Sequence, residues 1–231
     1  MPLSTIFTDR VRPEKAARYR ELIQEFAERA VEQNESFRWT AHETIFGAVN
    51  TVHYVATAED YAGIAARGLV EELFPRVLGE QESAAHLQQI QDCILSQEVE
   101  VAIDRPELSY APEEASPAQR PYALVTVLRP RPGHQEACEE LLRKIAEAIP
   151  KANPEARMIA FQPVIGDLGR LWTVRPMANL AELDDLLPPP QLLEQAFGAA
   201  EGGLISRTGL DSIESVQRDT VLYRPEMSNP A

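Results

Sequence analysis

The sequence predicts an α+β protein built from two tandem copies of one βαββαβ unit. The first observation is a phrase that occurs twice, IDRPELS at 103–109 and LYRPEMS at 222–228. The second is a constant offset of 119 residues, which aligns the two halves without a gap. The third is the order of predicted elements, which is the same in both halves. A period this long indicates a duplicated domain rather than a solenoid repeat.

Identical residues recur along the whole offset although overall identity is low. The pairs include Arg12-Pro13 with Arg131-Pro132, Glu21-Leu22 with Glu140-Leu141, Asn34 with Asn153, Arg38 with Arg157, Gly47 with Gly166, Val55 with Val174, and Ile94 with Ile213.

Each copy carries the same amphipathic helix after a short strand. The apolar residues follow the i, i+3, i+4, i+7 spacing of a helix with one buried face. They are Tyr19, Leu22, Ile23, Phe26, Ala27 and Ala30 in the first copy, and Cys138, Leu141, Leu142, Ile145, Ala146 and Ile149 in the second.

The predicted strands open each copy, form a hairpin after the helix and close the copy. A second helical region precedes the closing strand, and we expect Pro75 and the run Pro188-Pro189-Pro190 to interrupt it. The predicted strands are Leu3–Thr8, Phe37–Phe46, Thr51–Thr57 and Gln97–Ile103, then Tyr122–Leu128, Arg157–Ile165, Arg170–Arg175 and Gln217–Tyr223.

The repeat also sets the predicted domain boundaries. The first ferredoxin-like unit covers 1–109 and the second covers 122–231. The segment 110–121, YAPEEASPAQRP, contains three prolines and no apolar periodicity, which is typical of a semi-extended linker. We expect each RPE phrase to end its strand at the proline, with arginine and glutamate tying the tail down.

The composition excludes several classes of partner. The 231 residues include 22 Lys and Arg against 36 Asp and Glu, a formal charge of −14. Such acidity disfavours binding to nucleic acid or to an anionic membrane surface. No stretch resembles a signal peptide or a membrane span, so we expect a cytoplasmic protein. Cys93 and Cys138 are expected to be buried or half-buried free thiols.

The copies differ most informatively in their hairpins. The first has Trp39, His42, Glu43 and His53 where the second has Met158, Phe161, Gln162 and Trp172. Alternation places His42 and His53 on one face and Trp39, Glu43 and Tyr54 on the other. The polar first hairpin is therefore the better candidate for a functional site.

Several motifs resemble those of the dimeric α+β barrel superfamily, and within it the NIPSNAP and antibiotic-biosynthesis-monooxygenase-like groups. They are the strand, turn and helix VLRPRPGHQEACEELLRKI, the strand VIGDLGRLWTVRP leading into NLAELDDLL, and the closing DTVLYRPEMSNP. The resemblance covers both halves. It implies two tandem ferredoxin-like βαββαβ units packed as a pseudo-dimeric α+β barrel.

The same resemblance implies a range of activities. The superfamily includes cofactor-free monooxygenases, haem-binding and haem-degrading enzymes, isomerases and members without assigned activity. The cofactor-free oxygenases use Asn, Trp and Tyr or His together. Trp39 and Tyr54 match this set, but no Asn stands at a matching strand position. No cofactor is predicted from the residues, and haem or a flavin-like ligand enters only through the resemblance.

The candidate catalytic residues are His42, His53 and Tyr54, with Trp39 and Glu43 as candidate ligand-binding residues. Three interpretations of the histidines remain open: general acid–base catalysis, a metal site, and hydrogen-bonded structural histidines. A metal site lacks further ligands at suitable spacing, and we predict none. His86 and His134 lie in predicted helices and are expected to face solvent.

On the matching strand of the second copy, Trp172 and Arg175 are candidate ligand-binding residues. The alternatives are that Trp172 is a core residue and that Arg175 lies at the edge of the sheet. No Gly-rich phosphate loop, HExxH or GxSxG motif occurs.

Two functions fit these observations. The first is an oxygenase- or isomerase-type enzyme, or a binder, that takes a small hydrophobic or aromatic molecule at a site inside the barrel. The second is a non-catalytic interaction protein of the NIPSNAP type. We expect a monomer or a homodimer.

Overall fold

The computed structural model describes residues 2–68, 70–112 and 116–230, with Glu71 described by its backbone alone. The strands are β1 Leu3–Val11, β2 Thr40–Phe46, β3 Thr51–Ala58, β4 Ile94–Asp104, β5 Tyr122–Pro130, β6 Ile159–Ile165, β7 Leu171–Met177 and β8 Ile213–Tyr223. Neighbouring strands follow the order β1-β3-β2-β8-β5-β7-β6-β4, and the sheet closes into a barrel. The predicted α+β barrel is therefore confirmed.

Helices fill the two predicted positions of each copy. They are α1 Ala16–Glu32, α2 Tyr61–Arg67, α3 Val70–Leu78, α4 Glu80–Cys93, α5 Gln135–Ala152, α6 Pro189–Phe197 and α7 Ala199–Asp211. Pro75 lies within α3, and the break falls instead at Gly79, whose φ of 80° favours glycine. Its counterpart Gly198, with a φ of 85°, separates α6 from α7. In the first copy glycine rather than proline therefore divides the helical region. In the second copy the proline run follows a 3-10 turn, Leu180–Leu183, and opens α6, and Gly198 adds a further break.

Contacts divide the chain into two compact units. Unit 1 comprises Met1–Ile103, Val164–Gly166 and Val221–Ala231, and unit 2 comprises Asp104–Pro163 and Asp167–Thr220. Of the predicted linker 110–121, residues 113–115 lie outside the described residues.

The buried face of α1 is the predicted one. Its buried residues are Tyr19, Leu22, Ile23, Phe26, Ala27 and Ala30. The buried face of α5 differs from the prediction in that Ala148 is buried and Ile145 is only partly buried. Cys93 and Cys138 are buried free thiols, as expected, and burial raises the pKa of Cys138 to about 11.

In each copy, the Arg and Ser at the two ends of the repeated RPExS phrase bind neighbouring residues and hold the tail in place. We call these contacts the clasp. In unit 1, Arg224 binds the carboxylate of Glu43, and the Ser228 hydroxyl accepts from Ala41 N at 2.9 Å. The same hydroxyl donates to Arg224 O at 2.7 Å. Proline opens a 3-10 turn between them, Pro225–Met227.

Unit 2 contains the same clasp at positions offset by 119. Ser109 Oγ accepts from Ala160 N at 2.9 Å and donates to Arg105 O at 2.8 Å. Arg105 pairs with Glu139 at 2.8 Å. Each tail therefore clasps the β-hairpin of the other sequence copy. The expectation that Arg ties the tail down is met, through partners from the opposite half of the chain. Glu107 and Glu226 instead approach the arginine of their own phrase.

Glycines bring the helices of unit 2 close together. A Cβ built on Gly209 would lie 2.6 Å from Cβ of Leu141, so α7 approaches α5 more closely than a side chain would permit. The offset places Ile90 at the corresponding position of α4 in unit 1. Ile90 is one of the residues that line the cavity of unit 1 described below.

None of the helices in the described residues is long and apolar enough to cross a membrane.

Candidate functional site

Unit 1 contains a cavity of about 550 Å³ between its sheet and its helices. Strands β1, β3 and β4 supply the floor, and helices α1, α2, α3 and α4 supply the roof. The exposed side chains Gln91, Gln97 and Val99 mark its opening. This volume lies in the range of pockets that enclose a drug-sized molecule.

Aromatic rings form much of the cavity wall. Phe26 stacks on Phe74 with ring centroids 4.3 Å apart, and on Trp39 with centroids 5.9 Å apart. Phe37 extends the series, tilted against Trp39 at 6.1 Å. Trp39 Nε1 donates to Met227 O at 2.9 Å, which fixes the indole ring and turns its polar edge away. Such a wall suits a planar apolar ligand, because offset stacking is favourable.

Four polar side chains form a connected group at the cavity floor. The Tyr19 hydroxyl donates to Asp9 Oδ2 at 2.6 Å, and the hydroxyl oxygens of Tyr19 and Tyr54 are 2.7 Å apart. Gln97 Nε2 donates to Asp9 Oδ1 at 2.7 Å. Asp9, Tyr54 and Gln97 line the cavity, whereas Tyr19 lies behind them, 1% exposed. We call these four residues the polar floor.

Alternation along the strands explains why these side chains converge. Asp9 shares one face of β1 with Thr5 and Phe7, and all three line the cavity. Asp9 pairs with Gln97 across the β1–β4 ladder and with Val52 on the other side. The buried stripe of α1 carries Tyr19 onto the same face. Three elements distant in sequence thus meet at one carboxyl group.

Burial changes the acidity of the polar floor. Desolvation raises the pKa of Asp9, and this outweighs the hydrogen bonds from Tyr19 and Gln97, which lower it. Desolvation also raises the pKa of Tyr19 and of Tyr54 well above the ordinary value, so both phenols stay protonated. Asp9, whose pKa is raised above the ordinary carboxyl value, is therefore the group of this cluster that can accept and release a proton.

The directions of the hydrogen bonds in the polar floor follow from the number of hydroxyl protons that its residues carry. When Asp9 is ionised, the single hydroxyl proton of Tyr19 is committed to it, so Tyr54 must donate to Tyr19. The Tyr54 oxygen then keeps a lone pair for a donor in the cavity. A proton arriving at Tyr54 can pass to Tyr19 and onward to Asp9. The polar floor is thus a hydroxyl chain that ends on a carboxylate.

Two of the predicted site residues, Tyr54 and Trp39, line the cavity. His53 alternates with the cavity-lining Tyr54 on β3, and His42 alternates with Glu43 on β2, so both histidines lie on the face of the sheet that points away from the helices. The two histidines share one face of the sheet, as the alternation predicts, and they stand directly opposite each other in the ladder. The predicted catalytic residues are therefore divided between the two faces of the sheet, with Tyr54 on the cavity side and the two histidines on the other side.

The two histidines are held by threonines. His42 Nε2 lies 3.0 Å from Thr40 Oγ1, and His53 Nδ1 lies 3.0 Å from Thr8 Oγ1. Burial, and then the neighbouring His53, lower the pKa of His42 to about 4. No group of three or more potential metal-binding side chains occurs among the described residues.

Glu43 is buried and faces the helices, yet it does not line the cavity. Arg20 Nη2 approaches its Oε1 at 2.7 Å, and Arg224 Nη2 approaches its Oε2 at 2.6 Å. Both cations lower its pKa against the effect of burial, so the carboxylate stays ionised. Its two oxygens are engaged in holding α1 and the C-terminal tail.

Trp172 and Arg175 lie on β7 in unit 2 and do not line the cavity of unit 1. Trp172 is 9% exposed, with the Arg170 guanidinium 5.0 Å from its ring centroid. Arg175 lines a smaller cavity of about 100 Å³. Its pKa is lowered by burial and by the charge of Arg218.

His86 is buried, so the expectation that it faces solvent is wrong. Its Nε2 lies 3.0 Å from Leu22 O, and its ring contacts those of Phe26 and Phe74. His134 is exposed at the start of α5, as expected.

Sequence reasoning missed Asp9, Tyr19 and Gln97. The offset comparison contains a signal for them, because their counterparts are the apolar or weakly polar Leu128, Cys138 and Val216. Tyr54 likewise corresponds to Thr173. The polar floor is therefore specific to the first copy, which agrees with the prediction that this copy is the better candidate for a site.

The cavity residues do not fit a haem group. Haem iron needs an axial His, Cys, Met or Tyr ligand. The described lining residues include no His, Cys or Met, and the single lining tyrosine, Tyr54, is hydrogen-bonded to Tyr19. His86 points its Nε2 toward Leu22 rather than into the cavity.

Comparison by sequence gave no match to a family model and no match to a curated protein. Comparison by structure gave several. An anthrone oxidase-like protein is 14% identical with a TM-score of 0.57, over 96% of this chain and 91% of that chain. A candidate monooxygenase from Fusobacterium nucleatum subsp. nucleatum is 13% identical with a TM-score of 0.56, over 96% and 92%.

Chlorite dismutase from Candidatus Nitrospira defluvii is also similar, at 11% identity and a TM-score of 0.53, over 97% of this chain and 92% of that chain. These similarities extend over almost the full length of each protein, while the identities are too low to transfer an activity. They agree with the strand order and the barrel closure. The chain therefore has the fold of the dimeric α+β barrel superfamily.

Proposed function

We propose that the chain is an oxidase- or oxygenase-type enzyme that removes a proton from a small planar aromatic molecule bound in the cavity of unit 1. The observation that carries the proposal is the polar floor, a buried carboxyl group joined to a cavity-lining phenol at the end of an apolar cavity. A general base is most effective when its pKa approaches the working pH, and burial moves Asp9 in that direction.

The proposed step moves one proton through three residues. The ligand C–H or O–H bond breaks, its proton passes to the Tyr54 oxygen, and the Tyr54 proton passes to Tyr19. The Tyr19 proton then reaches Asp9 Oδ2 across the 2.6 Å hydrogen bond. The negative charge remains on the ligand, where the phenol of Tyr54 now donates to it. The resulting electron-rich anion can react with dioxygen, the proposed co-substrate.

Anthrone is a suitable test substrate because its CH₂ group is acidic and its rings are planar. With one dioxygen it gives anthraquinone and one water, so atoms and electrons balance. Support for this choice comes from the similarity to an anthrone oxidase-like protein. The aromatic wall of Phe26, Phe74 and Trp39 offers the matching surface.

The test compares oxygen uptake and anthraquinone formation in the wild type and three variants. We expect Asp9→Asn to lower the rate by roughly 100-fold or more, since general acid–base groups contribute on the order of 10²–10⁴. Tyr54→Phe should lower it by about tenfold or more. His42→Phe introduces the residue of the second copy on the opposite face and should leave the rate within about twofold.

The reverse pattern would place the chemistry elsewhere. If His42→Phe abolishes turnover while Asp9→Asn leaves it intact, the histidine face carries the activity and the polar floor does not. Full activity in both Asp9→Asn and Tyr54→Phe contradicts the proposed proton transfer. Far-UV circular dichroism on each variant separates loss of catalysis from loss of fold.

A further inference from the structure

The cavity has a second polar group, at the helix side. Arg67 is the one lysine or arginine among the described residues that line it, and Asp9 is the one acidic side chain among them. Arg67 comes from the end of α2, whereas Asp9 comes from β1 in the floor. The cavity therefore carries one charged side chain from its roof and one from its floor, with the aromatic wall as its apolar part.

Arg67 has no counter-ion within the described part of unit 1. Its guanidinium Cζ lies 6.0 Å from the centroid of the Phe37 ring, and among the described residues its side chain forms no hydrogen bond or ion pair. The side chain is half-buried. A neighbouring arginine, Arg76, by contrast pairs with Glu35 at 3.2 Å. A cation held over an aromatic ring at a cavity wall, with its donors unused, is suited to an anionic ligand group.

The overall charge makes this arrangement selective. A chain with a formal charge of −14 repels anions in general, so an anionic ligand needs a local cation. Ionised Asp9 repels an anion from the floor. A ligand with one anionic group is thus oriented in one way, with that group at Arg67 and its opposite end at the polar floor.

We infer that the cavity binds planar aromatic molecules that carry one anionic group, such as a carboxylate or sulfonate, and that Arg67 is the residue that selects them. The inference rests on the proposed function in that it assigns the substrate class of the same cavity. Arg67 is then a positioning residue, because it binds the anionic group of the ligand, away from the ligand C–H or O–H group that loses its proton.

The experiment uses two fluorescent probes with the same aromatic skeleton. 8-Anilino-1-naphthalenesulfonate carries an anionic group, and N-phenyl-1-naphthylamine does not. Both are titrated into the full-length protein while the increase in dye emission is followed. We expect Arg67→Gln to weaken binding of the sulfonate dye by about tenfold or more and to change binding of the neutral dye by less than about twofold.

Two further variants serve as controls. Arg67→Lys keeps the charge and should retain most of the affinity for the sulfonate dye. Arg143→Gln removes an exposed arginine of α5, which pairs with Glu140, and should change neither dye. Ala56→Leu adds a side chain at a cavity-lining position and should weaken both dyes, which locates them in the cavity.

The outcomes separate this inference from the proposed function. If Arg67→Gln weakens the binding of both dyes equally, or of neither, then Arg67 does not select anionic ligands. The proposed aromatic site would still stand in that case. That result would assign Arg67 to stabilising the end of α2, where a cation is favourable. If neither dye binds the wild-type protein, both the inference and the proposed aromatic cavity site are contradicted, whereas binding of the neutral dye alone contradicts only the inference.

Discussion

The hydroxyl of Tyr19 donates a 2.6 Å hydrogen bond to Oδ2 of Asp9, and both side chains are almost completely buried. The pair joins the inner face of α1 to β1 at the floor of the cavity. A carboxyl group at this depth is stable only because its oxygens are hydrogen-bonded, here by Tyr19 and Gln97.

Removing the Tyr19 hydroxyl should be costly. Tyr19→Phe keeps the ring but leaves Asp9 Oδ2 without its donor, and we expect a loss of about 2 kcal/mol in the free energy of unfolding. The pKa of Asp9 should rise further, because the lost bond favours the ionised form. Tyr54→Phe leaves the Tyr19–Asp9 bond in place and should cost less. Urea denaturation at pH 7 measures both, and equal losses would argue against a central role for Tyr19.

His42 should make stability depend on pH between about 6.5 and 4. Its pKa is lowered in the folded protein to about 4, so the unfolded chain binds the proton more readily. The contribution of neutral His42 to the free energy of unfolding is therefore complete above pH 6.5. It is lost as the pH falls toward 4, which lowers the free energy of unfolding by about 3 kcal/mol.

His42→Phe should remove this slope, so the difference in unfolding free energy between variant and wild type should change by that amount from pH 7 to pH 4. Denaturant unfolding at several pH values measures the difference. The exposed His134→Gln is the control and should leave the slope unchanged. A parallel pH profile for wild type and His42→Phe would show that His42 titrates normally.

The close approach of α7 to α5 should make Gly209 intolerant of a side chain. Gly209→Ala places a Cβ 2.6 Å from Leu141 Cβ, and we expect a loss of about 1–3 kcal/mol. Gly203→Ala lies in the same helix, with the nearest atom, Glu194 Oε1, at 3.7 Å. It should stabilise by up to about 1 kcal/mol, because alanine favours a helix over glycine. Thermal unfolding of the two variants should shift the midpoint in opposite directions.

Asn229 should be a strong anchor for the C-terminal tail. Its Nδ2 donates to Glu35 O at 3.1 Å and to Phe37 O at 2.7 Å, and its Oδ1 accepts from Arg38 at 2.7 Å. Because the side chain is 0% exposed, Asn229→Ala leaves these groups unsatisfied, and we expect a loss of about 3 kcal/mol.

A matched control for Asn229 is an exposed asparagine with one bond. Asn179→Ala removes the cap to Ala181 N and should cost about 1 kcal/mol. Denaturant unfolding compares the two. Equal costs would mean that the tail is dispensable for the stability of unit 1.

Local patterns predicted the elements of this fold well. The apolar spacing of α1 predicted its buried residues, and alternation across the hairpin placed His42 and His53 on one face of the sheet. These features depend on residues a few positions apart, so periodicity alone determines them. The constant offset of 119 residues predicted the topology, because each element expected in one half is expected again in the other.

The site depends on contacts between residues far apart in the sequence, which the periodicity of apolar residues does not predict. Asp9 and Gln97 are 88 positions apart, and their hydrogen bond depends on which strands pair. The cavity depends likewise on how four helices pack over three strands, with lining residues drawn from positions 5 to 101. His86 was misjudged for the same reason, since its charged neighbours in sequence do not show that its own position faces Leu22.

The exchanged clasps have a consequence for what one copy of the repeat can do. Unit 1 is completed by Val221–Ala231, and unit 2 contains the first tail, from Asp104 onward. A chain that encoded a single copy would complete its unit only by giving its tail to a second molecule and receiving one in return. Such a single-copy chain would therefore be expected to form a homodimer with exchanged tails, whereas this chain supplies both tails itself.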